Sequence, residues 1–379
     1  MSLTLNTAAL ALQPSGIRRF SSLAAATPGC ISLTLGEPGE DTPAPIRARV
    51  GESLAAGKTH YPPNNGYPEL REAIAHAMGE RGLVYAPDQV VVTSGATEAL
   101  FATLVTMLNP GDEVVIPTPA FVLYESIVAL CRATPRPLDT TACGYQIDGG
   151  ALAACVCERT KAIVLTSPNN PTGCVLSAES LDAVAAVAAR RGVYVICDDV
   201  YDRLVYTDAY QGFAQRHPEL ADRTVVVNSF SKPYAMTGWR LGWLCASKEL
   251  VRHIATVHQY AVSSVVAFTQ DAAVRALATD VTALRESYER RRELTLGHLG
   301  RMGLPVVRPE GAFYAFPDVS GSGLSSEEFC ERAIREAGVA LVPGAFFGGE
   351  GRVRISYACD EQTLVEGLGR LGRFVAELP

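Results

Sequence analysis

Four short runs place reactive side chains directly after apolar stretches. They are Ser94-Gly95-Ala96-Thr97, Ser167-Pro168-Asn169-Asn170-Pro171-Thr172-Gly173, Asp198-Asp199-Val200-Tyr201 and Asn228-Ser229-Phe230-Ser231-Lys232, with Arg240 shortly beyond the lysine. Asp198 closes the run Val193 to Cys197, so its carboxylate is expected to be desolvated and in need of a cationic partner. A salt bridge, a helix cap or the protonated ring nitrogen of a cofactor each meets that need. Lys232 reads either as a surface lysine or as an amine of lowered pKa that forms a Schiff base. Backbone N–H groups of Gly95, Ala96 and Thr97 at a helix start would face an anion, and Ser229, Ser231 and Arg240 could bind the same dianion. A small-residue turn of this kind alone often does no more than join strand to helix.

The elements that must position these groups follow from the hydrophobic pattern. Gln89 to Thr93, Glu113 to Ile116, Ala162 to Thr166, Val193 to Cys197 and Thr224 to Val227 read as buried strands. Helices are predicted over Pro68 to Arg81, Ala96 to Leu108 and Leu181 to Arg191, closed by Asn109-Pro110-Gly111 and by Gly192 in the latter two. Strands alternating with helices imply a mostly parallel sheet covered on both faces, with its site at the strand ends. After about residue 250 the rhythm changes to a long helical stretch, Ser263 to Met302, with a break near Thr279-Asp280. Two β-α units follow, at Ala312 to Pro317 and Arg352 to Tyr357. The expected division is an N-terminal segment over 1–45 packing on the small domain, a large domain over 46–275 and a smaller α/β domain over 276–379.

Composition removes several functions. The chain has 379 residues, of which 48% are apolar and 19% charged, with a net charge of −7. That length suits more than one core, and the mild acidity offers no footprint for nucleic acid or an anionic membrane. The run Arg290-Arg291-Arg292 is bracketed by Glu289 and Glu293 and reads as a solvated helix face. The ten cysteines lack framework spacing and are expected as buried or half-buried free thiols in a reducing compartment. His253 and His258 read as ordinary positions, and no metal site is expected. No apolar window is long enough to span a membrane and Ala8 to Leu12 lacks a basic flank, so a cytoplasmic location is expected.

The ordered set carries more than its members. Asn170-Pro171-Thr172-Gly173, Asp198-x-x-Tyr201 and Ser229-x-Ser231-Lys232, with Arg240 inside Gly238-Trp239-Arg240-Leu241-Gly242, resemble the class I/II aminotransferases of fold type I. The resemblance runs from Ser15-Gly16-Ile17-Arg18 and Gly36-Glu37-Pro38 through Tyr61 to Gly66. It continues to Gly311-Ala312-Phe313-Tyr314 and Arg352 to Tyr357. Within the family the chain looks nearest to the aspartate aminotransferase subgroup that includes putative aminotransferase A and N-acetyl-diaminopimelate aminotransferase-like proteins. Val257-His258-Gln259-Tyr260 adds to that placement.

The resemblance implies an α/β fold with a mostly parallel seven-stranded sheet between helices and a smaller C-terminal α/β domain, and pyridoxal 5′-phosphate as cofactor. It makes Lys232 the lysine that carries the cofactor and, once freed, the general base. Asp198 becomes the partner of the pyridinium nitrogen, and Tyr201 and Asn170 the groups bonded to the ring's phenolate oxygen. Phe121 becomes the stacking aromatic, where many relatives carry Tyr or Trp. Gly95, Ala96, Thr97, Ser229, Ser231 and Arg240 form the phosphate cup, completed by Tyr61 from a second subunit in a homodimer with shared sites. Arg354, with Asn170 and the Gly36 backbone, grips the substrate α-carboxylate. Arg352 lies on the same face by strand alternation and is its rival. Tyr260 and Val265 to Phe268 either line the side-chain pocket or pack in the core, and Arg18 and Arg19 read as an exposed pair.

The implied reaction is ping-pong transamination between an L-amino acid and a 2-oxo acid, with 2-oxoglutarate the expected acceptor. A β-lyase or cyclopropane-forming synthase would use the same Lys232 and Asp198, but no residue points to either. A non-catalytic cofactor-binding regulator is opposed by the lack of a basic helical extension. The identity of the amino-acid donor is not legible.

Overall fold

The computed structural model describes residues 4–208 and 210–378; residues 1–3, 209 and 379 of the three expected divisions lie outside the described residues. Seven strands build the main sheet: β1 (Val90–Thr93), β2 (Glu113–Thr118), β3 (Thr134–Asp139), β4 (Thr160–Thr166), β5 (Tyr194–Asp198), β6 (Thr224–Ser229) and β7 (Gly242–Cys245). Their order across the sheet is β1-β7-β6-β5-β4-β2-β3. All neighbours pair in parallel except β7, which is antiparallel to both β1 and β6.

Continuous apolar runs become central strands because both faces are covered. Val90 and Val92 enter one core while Val91 enters the other, and Val195 and Cys197 oppose Ile196 in the same way. Two strands of this sheet were not predicted. In β3 (TPRPLD) two prolines break the β pattern, and they are tolerated because this strand is an edge pairing only with β2. β7 is four residues long and sits directly behind the Arg240 turn.

A second core forms around a three-stranded antiparallel sheet of Tyr314–Ala315, Val342–Pro343 and Val353–Ser356. The helices Thr282–Met302 and Glu361–Ala376 pack on each other beside it. Phe20 and Leu33, from the N-terminal segment, are buried in this core. The segment also adds a strand, Ile31–Ser32, parallel to Val339–Ala340, where no strand was expected.

The stretch expected as helical, Ser263 to Met302, holds two helices, and a third precedes it. Lys248–Val262 ends at Ser263, whose φ is +63°, then come Ala267–Leu277 and Thr282–Met302. Asp280 Oδ1 accepts from Thr282 N–H at 2.9 Å in the break. The arginine run departs from its reading as a solvated face. Arg290 is exposed, but Arg291 and Arg292 are buried. Arg291 pairs with Glu40 at 2.7 Å, and Arg292 donates to the Pro309 carbonyl at 3.1 Å and stacks on Tyr206. Consecutive helical residues point some 100° apart, so a charged run cannot share one face. These two guanidiniums are buried because each finds partners. All ten cysteines are free thiols, and Cys143 is exposed rather than buried.

Candidate active site

Five connections meet at one edge of the sheet because β1, β2, β4, β5 and β6 point the same way. They follow Thr93, Thr118, Thr166, Asp198 and Ser229. β7 starts at that edge immediately after Arg240, with Gly242 between Thr93 and Ser229. A Cβ on Gly242 would lie 2.7 Å from the Asn228 carbonyl and 2.9 Å from Ala96 N, so only glycine lets the turn and strand close together. Gly95, at φ +79°, opens the helix Ala96–Met107, and a Cβ there would meet Arg240 Nη2 at 2.8 Å.

These connections and the small domain enclose a cavity of about 230 Å³. Ala96, Thr97, Phe121, Asn170, Asp198 and Tyr201 line it, as do Ser229, Ser231, Lys232, Arg240, Gly36 and Arg354. Two expected residues do not line it: Gly95, whose N–H bonds the Thr93 carbonyl at 2.8 Å just behind Ala96, and Tyr61. Tyr61 is 90% exposed and borders a separate surface trough with Val266 and Phe268. Tyr260 (87% exposed) and Val265 to Phe268 do not line the cavity. Arg18 is exposed, and Arg19 pairs with Glu327 and Glu331 at the surface.

Lys232 Nζ donates to the Gly36 carbonyl at 2.5 Å. Its pKa is lowered to about 8, chiefly by removal from water; Arg354 and Arg240 push the same way, against Glu37 and Asp198. Asp198 is 5% exposed, and burial raises its pKa to about 6 despite the Tyr124 hydroxyl, the Val200 N–H and Lys232, which pull it down. Tyr124 donates to Asp198 Oδ2 at 2.6 Å. Oδ1 meets no donor in hydrogen-bonding geometry.

Arg354 is 2% exposed, and no carboxylate among the described residues pairs with it. Its Nη1 donates to Asn170 Oδ1 at 2.9 Å and its Nη2 to the Thr34 carbonyl at 2.7 Å. The guanidinium lies over the Tyr314 and Phe347 rings, 4.6 and 5.0 Å from their centroids. Burial pushes its pKa down. Such a cation calls for an anion. Arg352 does not compete, because it turns toward Asp318 at 3.4 Å.

The donor set fits pyridoxal phosphate. The open, buried Asp198 Oδ1 is an acceptor for a ring N–H. The hydroxyls of Ser229 and Ser231, 2.8 Å apart, line the cavity with Arg240, which is exposed, lies against Gly95 and donates to the Thr237 carbonyl at 2.9 Å. Phe121 supplies an apolar face, held edge-on to Tyr124.

Sequence reasoning missed three members. Tyr124 lies three residues after Phe121, a spacing that puts both near one side of a helix start. Tyr314, quoted as part of a motif but given no task, bonds its hydroxyl to that of Tyr201 at 2.9 Å. Thr34 left no sequence trace, because its carbonyl does the work.

Comparison with known proteins agrees with this arrangement. The family described as aminotransferase class I and II matches residues 28–371. The chain is 41% identical to a probable N-acetyl-LL-diaminopimelate aminotransferase of Bacillus subtilis, covering 98% of this chain and 95% of the relative. It is 39% identical to aromatic-amino-acid aminotransferase 2 of Thermococcus litoralis, covering 97% of each. The solved structure of Thermus thermophilus aspartate aminotransferase with maleate superposes with a TM-score of 0.93 at 36% identity, over 98% of this chain and all of that one.

Proposed function

The chain belongs to the class I and II aminotransferases, pyridoxal-phosphate-dependent enzymes of fold type I that transfer an amino group to a 2-oxo acid, and we propose that Lys232, Asp198 and Tyr201 carry that chemistry here. The bound cofactor supplies a ring that accepts the electron pair left at the substrate Cα when its proton departs.

Lys232 Nζ is the group that moves the proton at Cα, and a pKa near 8 leaves a useful fraction of it unprotonated at neutral pH. Asp198 Oδ1 accepts the ring N–H and keeps that nitrogen protonated. Tyr201 and Asn170 bond the ring's phenolate oxygen, and Phe121 covers one face of the ring. Ala96 and Thr97 offer backbone N–H groups to the phosphate, joined by Ser229, Ser231 and Arg240, while Gly95 shapes the turn with its own N–H on the Thr93 carbonyl at 2.8 Å. Arg354 receives the substrate α-carboxylate. Each of its terminal nitrogens spends one N–H on Asn170 or Thr34 and keeps a second for the substrate. The observation that carries this reading is an unpaired buried guanidinium and an open carboxylate oxygen in one cavity with a lysine of lowered pKa.

The reading extends to the assembly and to the setting. Tyr61 completes the phosphate site of a second copy in a symmetric homodimer; its 90% exposure beside Val266, itself 49% exposed, supports this. The large domain spans 46–275 and the small domain 276–379, with 1–45 on the latter, supported by Phe20 and Leu33 in the second core. A cytoplasmic location is supported by ten unpaired thiols. Among the described residues no helix is long and apolar enough to cross a membrane. The acceptor is 2-oxoglutarate, consistent with the dicarboxylate in the Thermus structure.

Borohydride reduction of the protein with pyridoxal phosphate, followed by peptide mapping, tests the assignment, with the label expected on Lys232. A label on any other lysine overturns it. A panel of amino acids with 2-oxoglutarate then identifies the donor, and release of ammonia and a 2-oxo acid with no acceptor added would instead mark a lyase.

A further inference from the structure

Outside the cavity a buried histidine stands in a defined network. His258, on the helix Lys248–Val262, is fully buried. Its Nδ1 lies 3.1 and 3.2 Å from the two Glu98 carboxylate oxygens, and its Nε2 lies 2.9 Å from the Asn64 carbonyl. A backbone carbonyl can only accept, and so can an ionised carboxylate. Both ring nitrogens therefore act as donors, which requires the doubly protonated imidazolium.

The partners give this cation a task. Glu98 sits in the first turn of the helix Ala96–Met107, and its Oε2 accepts the Ser94 N–H at 3.1 Å. Ser94 precedes Gly95, Ala96 and Thr97, the backbone read above as the phosphate cup. A carboxylate there secures the turn but sets a negative charge beside a dianion. The other partner, Asn64, lies three residues after Tyr61, and its Nδ2 donates to the Ala255 carbonyl at 3.1 Å. Asn65 accepts Val92 N–H through its carbonyl at 3.1 Å.

We propose that His258 is a positioning residue held as an imidazolium, which neutralises Glu98 next to the cofactor phosphate and ties the loop bearing Tyr61 to the same turn. This rests on the reading of residues 94–97 as the phosphate cup.

The surrounding charges leave Glu98 as its counterion. The helix Ala96–Met107 carries no other charged residue and β1 none. On the neighbouring 3-10 turn Asp88 is taken by Lys248, and Lys58, before the Tyr61 loop, is taken by Asp271. On its own helix Arg252 and His253 face solvent together, and Tyr260 is exposed. Burial alone would lower the imidazole pKa, but the Glu98 carboxylate and the Asn64 carbonyl hold it above the ordinary value. A histidine whose folded pKa is raised stabilises fully below its unfolded value, and that contribution is lost as pH rises through the folded one. Affinity for pyridoxal phosphate should follow the same course.

The test combines ring protonation with cofactor binding. Nitrogen NMR of histidine-labelled holoenzyme, with the His258 resonances identified by their loss in His258→Gln, should show protons on both ring nitrogens near neutral pH; a single proton overturns the proposal. His258→Gln should weaken pyridoxal phosphate about tenfold, the effect of losing a charged hydrogen bond, and leave pyridoxal, which lacks the phosphate, unchanged. Adding Glu98→Gln to it should restore most of the loss. Unchanged affinity in His258→Gln, or equal weakening of pyridoxal, sinks the idea. If His258→Gln does not fold, Glu98→Gln alone decides: it should bind pyridoxal phosphate at least as tightly as wild type, and weaker binding overturns the proposal. Arg240→Ala separates the premise from the inference. If it leaves affinity for pyridoxal phosphate intact, the phosphate-cup reading has failed and the proposal falls with it.

Discussion

The two walls of the cavity are built differently. Lys232, Asp198, Ser229 and Ser231 stand on or just beyond strand ends of one seven-stranded sheet, and their supports are near at hand. Ser229 bonds Ser231, and Asp198 is held by Tyr124 from the helix that follows β2. The facing wall is assembled from distant segments: Gly36 and Thr34 from the N-terminal segment, Tyr314 and Arg354 from the second core. In the proposed assignment the first wall holds what is common to every turnover, the cofactor. In the same assignment the second takes the α-carboxylate, the part common to every donor. Among the described residues the walls touch at three bonds, Arg354 to Asn170, Tyr314 to Tyr201 and Lys232 to Gly36, and otherwise rest on different segments; similar proteins are named for N-acetyl-LL-diaminopimelate, aspartate and aromatic amino acids.

Removing the centre of the first wall should have the largest effect. Lys232→Ala is expected to lower kcat by about 10⁴-fold and to abolish borohydride labelling; steady-state rates and peptide mapping check both. Arg354→Lys tests the second wall. An ammonium cannot offer the parallel N–H pair of a guanidinium, so kcat/KM should fall by about 30- to several-thousand-fold for every donor and for the acceptor. The cofactor spectrum should stay normal, whereas Arg352→Lys, in a peripheral ion pair, should change kcat/KM less than about threefold. A bleached spectrum in Arg354→Lys would show that the walls are not independent.

Tyr124→Phe sharpens the comparison from the sheet side. It removes one bond to Asp198 Oδ2 and should cost about tenfold in kcat, with KM for the amino acid unchanged. That hydroxyl pulls the Asp198 pKa down. Its loss raises the pKa further above about 6, so the acid limb of the pH–rate profile moves to higher pH. The smallest effect belongs to the surface of the second wall. Arg19→Ala breaks exposed pairs with Glu327 and Glu331 and should cost less than about 1 kcal/mol of stability by denaturant titration, with kcat unaltered.

The contrast also explains what could be read in the sequence. Residues of the sheet wall follow apolar runs such as Val193 to Cys197, so strand and reactive group announce each other. Arg354 and Gly36 were found only through family resemblance, and Thr34 not at all, because the contact between Thr34 and Arg354 spans 320 positions. Tyr124 was within reach, since it lies on the face of the helix start that Phe121 had already marked. The strand Thr134–Asp139 hid behind its prolines, which only an edge position permits. Arg291 and Arg292 were misjudged because flanking glutamates suggested solvent; Glu289 and Glu293 do pair with Arg292, but Glu40 and the Pro309 carbonyl, which complete the burial, lie elsewhere in the chain.

The parallel pairing of Ile31–Ser32 with Val339–Ala340 bears on the order in which the molecule can be made. During synthesis the sheet that holds the cofactor is complete once Cys245 has emerged, whereas the early strand must wait for a partner about three hundred residues later. Contacts of such separation close late in folding. In the proposed assignment a nascent chain can thus assemble the place for its cofactor well before it can grip an amino acid, and the substrate-binding half is the last to mature.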